Sequence, residues 1–343
     1  MGLIDTAIAA VPHTCAAMLI RRDVLVVNYH LVAPDAPPHI TGVLPNKTPD
    51  QFEQDLLFLK RHYNVVSYAD ACAARNGGEP LPKRAMMISF DDGFRECYDH
   101  VRPLLLKHDL PCTFFLITDS VNNRALAYPN RTALCLHAIR LCDDDELARL
   151  HSVFVAQHNI EAGESRAELF QAVRALTIRD LAVLDTLETE LNVEPIAYLR
   201  DHTPYLTIDQ IQEMRGDGFT FGAHTKTHPQ MWLVDDARLE AELAGSCNAV
   251  CELTGEPTAP FAFPYRSNGL SRDRLAAIRE RHPKVGLLFD THGYVRDAPF
   301  MVPRLSFDDP AGAGAHGSNL AAGLNRGYFA QAAKSMLGRG RMG

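Results

Sequence analysis

The stretch M-I-S-F-D-D-G-F at residues 87–94 decides how the chain is read. Four largely apolar residues read as the end of a buried strand. They run straight into two adjacent carboxylates, Asp91 and Asp92, and then Gly93. Neighbours on a strand point to opposite faces, but where the backbone turns at a strand end both side chains can face one cleft. Two carboxylates in one cleft repel unless a cation or a shared proton separates them. Asp-Gly is also an ordinary turn pair, so on this stretch alone a plain surface turn fits as well.

Outward from there, short apolar runs alternate with helical patterns. V-L-V-V-N-Y (24–29), A-M-M-I-S-F (85–90), C-T-F-F-L-I (112–117), F-T-F-G-A (219–223), F-A-F (261–263) and V-G-L-L-F (285–289) read as strands. Helical patterns cover 49–63, 95–108, 235–254 and 271–281. Such alternation argues for an α/β fold with a parallel sheet or barrel. Residues 119–205 break the rhythm with helical patterns such as D-D-D-E-L-A-R-L-H-S-V-F (143–154) and read as a helical insertion between two barrel strands. Residues 311–343 form a Gly/Ala-rich tail in which Arg326, Lys334, Arg339 and Arg341 meet no acid. Its segment N-R-G-Y-F-A-Q-A-A-K-S-M-L reads either as a basic amphipathic helix for a membrane or partner, or as a frayed terminus.

The 343 residues, 46% hydrophobic and 22% charged, have an ordinary globular balance and can bury a sizeable core. A net charge of -8 argues against a protein built to coat nucleic acid. Eight scattered cysteines form no C-x-x-C pair and read as small buried hydrophobes. Cys247 and Cys251 lack the second pair that a structural zinc site needs. No run approaches the ~18 apolar residues of a membrane span. Residues 1–20 lack a basic start and carry Asp5 and Pro12, which makes a poor leader; an amphipathic N-terminal helix is expected instead. The expected location is cytoplasmic, with peripheral membrane contact open to that helix or to the basic tail.

A second cluster changes the weight of the first. F-G-A-H-T-K-T-H-P (221–229) places His224 and His228 four apart at the end of a strand-like run. Histidines at that spacing can hold one metal from one side, although two loop histidines are unremarkable in a chain with fifteen. In an alternating barrel the strand C-terminal ends gather on one face and carry the site. An aspartate with two histidines suits a catalytic divalent metal with an open position. A third piece, P-F-A-F-P-Y-R-S-N-G (260–269), ends another strand, where Pro264 and Tyr265 either aim a backbone N–H at the cleft or simply turn the chain.

Together F-D-D-G, H-T-K-T-H-P and F-P-Y resemble the ordered motifs of the polysaccharide deacetylases, the NodB-homology carbohydrate esterases, over roughly 24–120 and 205–306. The resemblance implies a distorted (β/α)7-type barrel within residues 1–310 and metal-dependent removal of N- or O-acetyl groups from a sugar. It implies Asp91 as catalytic base, Asp92, His224 and His228 as metal ligands, and the backbone N–H of Tyr265 as oxyanion donor. Zinc comes first for that ligand set, with cobalt, nickel or iron able to serve.

Two departures stand out. The third motif lacks the arginine most members carry, with Phe261–Phe263 in its place, and no late Leu-x-His follows residue 285. V-V-N-Y-H-L-V (26–32) resembles instead the circularly permuted exopolysaccharide deacetylases, whose acid histidine ends an N-terminal strand; this implies His30 as general acid. His292 in F-D-T-H-G is the other candidate. Arg304, in the loop G-Y-V-R-D-A-P-F-M-V-P-R-L, is expected to orient Asp91, and Asp290 is a candidate to tune the acid histidine. Trp232 is expected in the core, or else as a sugar platform. The expected partner is an N-acetylated glycan or glycolipid substrate. A non-sugar amide, or a barrel that binds glycan without turnover, are the alternative readings.

Overall fold

The computed structural model describes residues 24–158, 165–293, 297–308 and 320–339. The expected N-terminal helix and Cys15 lie outside them. Eight strands are all parallel: β1 (Leu25–Tyr29), β2 (Asn64–Val65), β3 (Ala85–Phe90), β4 (Thr113–Leu116), β5 (Thr220–Ala223), β6 (Ala259–Ala262), β7 (Val285–Asp290) and β8 (Met301–Ser306). β1 pairs with β3 from Leu25↔Met86 to Tyr29↔Phe90, and with β8 from Val26↔Arg304 to Asn28↔Ser306. Seven strands therefore close into a barrel in the order β1-β3-β4-β5-β6-β7-β8. β2 stays outside the ring. It pairs with the first residues of β3, and β4 pairs with the last two.

Helices cover the outside. α1 (Pro49–His62), α2 (Tyr68–Arg75) and α3 (Arg102–His108) follow the first three strands. Between β4 and β5 come α4 (Tyr128–Leu141), α5 (Asp144–His158), α6 (Arg166–Arg174), α7 (Leu181–Glu190), α8 (Pro195–His202) and α9 (Ile208–Gly216). α10 (Asp236–Thr254), α11 (Arg272–Arg281) and α12 (Leu320–Arg339) complete the set. Local chemistry sets the ends. Thr48 and Gln51 form a reciprocal capping box with Pro49 in the first turn of α1. Gly255 ends α10 in the left-handed conformation.

The alternation of each strand divides the core. Val27, Ile88, Phe114, Phe261 and Leu288 face the helices, where Phe52, Leu56, Leu239 and Leu243 meet them. Val26, Met87, Phe115, Ala262, Phe289 and Val302 fill the barrel. Gly222 makes room in it, because a Cβ there would lie 2.6 Å from the Phe115 ring and 2.7 Å from the Pro260 carbonyl. α4 to α7 enclose a separate core around Leu136, Phe154, Leu169 and Leu184.

β2 and α2 go beyond the reading of the sequence, and two further elements differ from it. β8 was not expected as a strand, because Pro303 interrupts M-V-P-R-L-S and a proline demotes a strand signal. The helix expected over 95–108 begins as a wide turn, Cys97–Val101, before α3. Pro103 has no N–H to give a regular helical ladder, and the wide turn absorbs that loss. In α12, Leu320, Leu324 and Tyr328 are buried, and the Tyr328 hydroxyl bonds that of Tyr63. No described helix is long and apolar enough to cross a membrane.

Candidate active site

His30, Asp91, Asp92, His224, His228, Tyr265 and Trp232 line one pocket of about 690 Å³ at the C-terminal end of the strands. Arg304 lies beneath it, fully buried. The turn after β3 makes this possible. Asp92 and Gly93 both take left-handed backbone, φ 70° and 69°, and short polar or glycine residues tolerate that region best. The turn breaks the strand's alternation and brings both carboxylates to one side.

Asp91 is held from below. Arg304 grips it with two hydrogen bonds, Nη1 to Oδ1 at 2.7 Å and Nη2 to Oδ2 at 2.9 Å. Asn28 Nδ2 donates to Oδ2 at 3.0 Å, and Arg304 Nη1 also donates to Asn28 Oδ1 at 2.9 Å. Burial works to raise the Asp91 pKa, but Arg304, with His224 and His30 behind it, holds the carboxyl below its ordinary value. The guanidinium partner of Asp91 thus comes from β8.

Asp92 faces the two histidines. Its Oδ1 lies 3.4 Å from His224 Nε2 and 3.3 Å from His228 Nε2, yet is buried without a hydrogen bond. His224 Nδ1 lies 2.9 Å from the Ala262 carbonyl. That contact requires a proton on Nδ1 and leaves the Nε2 lone pair facing Asp92. Burial, the leading cause, lowers the His224 pKa to about 4, so the ring is neutral at pH 7. The ligand atoms of Asp92, His224 and His228 lie within 4.8 Å of one another, and they form such a group among the described residues. A buried carboxylate oxygen without a donor, set against an imidazole lone pair, is unfavourable alone and favourable around a cation. The three residues fit a divalent metal. The cysteine pair does not share in it: Cys247 and Cys251 sit buried in α10.

The histidine loop is fixed from α10. Glu242 accepts from the Lys226 and Thr227 backbone N–H groups at 2.8 and 3.0 Å, and from the Thr227 hydroxyl. Thr225 and His228 adopt positive φ of 66° and 60° to complete the turn.

His30 ends β1. Its Nε2 is 3.8 Å from Asp91 Oδ2, and Asp308 takes its Nδ1 at 2.7 Å and its backbone N–H at 2.6 Å. Burial, the largest single influence, lowers its pKa, but Asp308, Asp92 and Asp91 together outweigh burial, and the value rises to about 10. Asp308 holds the place considered for Asp290. Asp290 instead bonds Ser267 and lies 3.2 Å from His292 Nε2, and His292 does not line the pocket. Tyr265 has φ 59° and bonds the Tyr128 hydroxyl of α4 at 2.6 Å. Trp232 is 38% exposed and packs edge-on to Tyr265 on the pocket wall, not in the core.

Asn28, Ser89, Asp308, Glu242 and Tyr128 were not singled out from the sequence. Asn28 carried a signal: a polar side chain in the apolar run V-L-V-V-N-Y.

A closed parallel barrel with its polar cluster on the C-terminal rim has the build of a (β/α)-barrel enzyme. Residues 78–283 match the polysaccharide deacetylase family, and the chain belongs to it. The poly-β-1,6-N-acetyl-D-glucosamine N-deacetylase of Escherichia coli is 36% identical over 62 residues, 18% of this chain and 9% of that protein. Its namesake from Staphylococcus epidermidis is 28% identical over 113 residues, 30% and 39% of the two chains. That from Staphylococcus aureus is 25% identical over 140 residues, 38% and 44%. The chain thus spans less than half the length of these relatives. Among solved structures, the Streptococcus pyogenes deacetylase PplD in complex with acetate superposes with a TM-score of 0.52 at 17% identity, over 82% of this chain and 91% of that one. IcaB from Ammonifex degensii gives 0.51 at 17%, over 89% and 96%. At that identity the likeness is one of fold.

Proposed function

We propose that the chain is a metal-dependent hydrolase that removes N-acetyl, or O-acetyl, groups from a sugar in a polysaccharide or lipid-linked glycan intermediate. One observation carries this reading: an arginine-held carboxylate, Asp91, stands between the Asp92–His224–His228 set and His30 in a single pocket. Family membership and the name of the relatives support an N-acetylated glucosamine glycan as the substrate class.

In this reading Asp92, His224 and His228 hold a divalent cation, zinc first by donor type. When bound, such a cation supplies Lewis acidity toward the acetyl carbonyl and the attacking water. Asp91 is the base, taking the water's proton at Oδ2 while Arg304 and Asn28 keep the carboxylate ionised and fixed. The Tyr265 N–H, which donates no hydrogen bond among the described residues, receives the carbonyl oxygen as it gains negative charge. His30 gives the proton on Nε2 to the leaving amine, and Asp308 keeps the ring oriented through Nδ1.

The test is acetate release from a panel of N-acetylated glycans and sugar–lipid intermediates, with zinc added and with a chelator. Zinc-dependent release is expected. Stoichiometric metal binding without release from any of them would sink the sugar deacetylase reading.

A further inference from the structure

The pocket holds two cations that the chemistry above does not use. Arg174, the last residue of α6, comes from the insertion; Arg266 comes from the turn after β6. Both are exposed, and no hydrogen bond or ion pair ties either one among the described residues. Arg131, Arg272 and Arg281, outside the pocket lining, are by contrast engaged, by Glu188 and Asp185, by Asp297 and by Glu240. The pocket's own acids cannot serve them, since Asp91 is held by Arg304 and Asp92 faces the histidines. In a chain of net charge -8, two unsatisfied guanidinium groups reaching one pocket from separate walls are not a general excess of base. The exposed faces of Trp232 and Tyr265 lie in the same pocket and suit the apolar face of a sugar ring.

We propose that the pocket selects an acetamido sugar bearing an anionic group, phosphate or carboxylate, beside the acetylated unit, with Arg174 and Arg266 receiving that group. This rests on the deacetylase reading and narrows its substrate: a neutral homopolymer leaves both arginines idle. Guanidinium groups match either oxyanion in bidentate geometry. Since both side chains are exposed, their effect is screened by salt.

The test is titration calorimetry on the full chain with N-acetylglucosamine, its neutral oligomer, N-acetylglucosamine 1-phosphate and a hyaluronan tetrasaccharide, with acetate release from each measured in parallel. An anionic ligand is expected to bind on the order of tenfold tighter than its neutral counterpart at low salt. The advantage should shrink as salt rises. Arg174→Glu and Arg266→Glu should each reduce it severalfold, and Arg→Gln variants should reduce it less, with melting temperature as the check on folding. A gain for the phosphate alone assigns the anion to a phosphate-linked sugar; a gain for the tetrasaccharide alone assigns it to an acidic glycan. Equal binding of neutral and charged sugars, or an advantage that survives both reversals, overturns the proposal. An anion preference without acetate release from any sugar would instead remove the deacetylase reading and leave the anion site standing.

Discussion

Inside the barrel, Val26, Met87, Phe115, Phe289 and Val302 pack as a dry layer, and polar groups begin only above it, with Asn28, Ser89 and Arg304. The insertion is built the other way. α4 to α7 close around their own core and turn a mixed edge, Tyr128, Asn130 and Arg174, toward the same pocket. Every proposed chemical group on the barrel side except Tyr265 and His30 is nearly or wholly buried, while Arg174 stands in solvent. Strand register fixes the barrel side, as proton transfer demands. The insertion edge can vary without disturbing that register. In the proposed reading the contrast leaves the reaction to the buried barrel groups and the choice of substrate to the exposed rim, where Arg174 of the insertion faces Arg266 and Trp232 of the barrel loops.

The sharpest way to break this division is to remove a ligand. Asp92→Ala or His228→Ala should lose both zinc binding, read by calorimetry, and acetate release down to background. Next come the proton-transfer groups. Asp91→Asn and His30→Ala should each keep metal and lower kcat/KM by roughly 10²–10⁴. A His30→Ala enzyme near wild type would remove the acid role from His30.

Arg304→Met tests the support beneath. It leaves Asp91 buried without its partner, so stability should fall by about 3–5 kcal/mol in denaturant unfolding. The same change frees the Asp91 carboxyl to rise from its depressed value, so the acid limb of the pH–rate profile should shift to higher pH.

A smaller effect is expected in the metal-stripped protein. The His30 pKa rises from 6.5 to about 10 on folding. Its contribution to stability is therefore full below pH ~6.5 and is lost as pH climbs toward 10. The melting temperature of His30→Ala should fall less over that window than that of the parent. Smallest of all, Tyr128→Phe removes the hydroxyl pair that ties α4 to Tyr265 and should cost about 1 kcal/mol or less in transition-state binding, a severalfold loss in kcat/KM. If it lowers kcat/KM as much as Asp91→Asn does, the insertion takes part in the chemistry and the division fails.

The sequence made the ends of β3 and β5 readable because their chemistry is local: F-D-D-G and H-T-K-T-H-P each bring their own turn and donors within nine residues. The closed barrel followed from alternation and from the family motifs. What stayed hidden depends on partners far apart in the chain. Arg304 was found only as a candidate, because Pro303 concealed the strand that aims it. Asp308 was passed over for Asp290, since only the β1–β8 pairing puts residue 308 beside residue 30. Glu242 lies in the middle of a helix, where an acid is unexceptional. Trp232 looked like core material because its surroundings in the sequence do not reveal that the pocket wall ends there.

The seam between β1 and β8 has a consequence in time. His30 and the Asp308 that grips it are separated by 278 residues. A ribosome adding about 5–20 residues per second needs roughly 15–60 s to pass from one to the other. Throughout that interval the aspartates and then the histidines emerge, but Arg304 and Asp308 do not yet exist. A nascent chain thus cannot complete the supports of Asp91 and His30 until its last barrel strand has been made and has paired with its first.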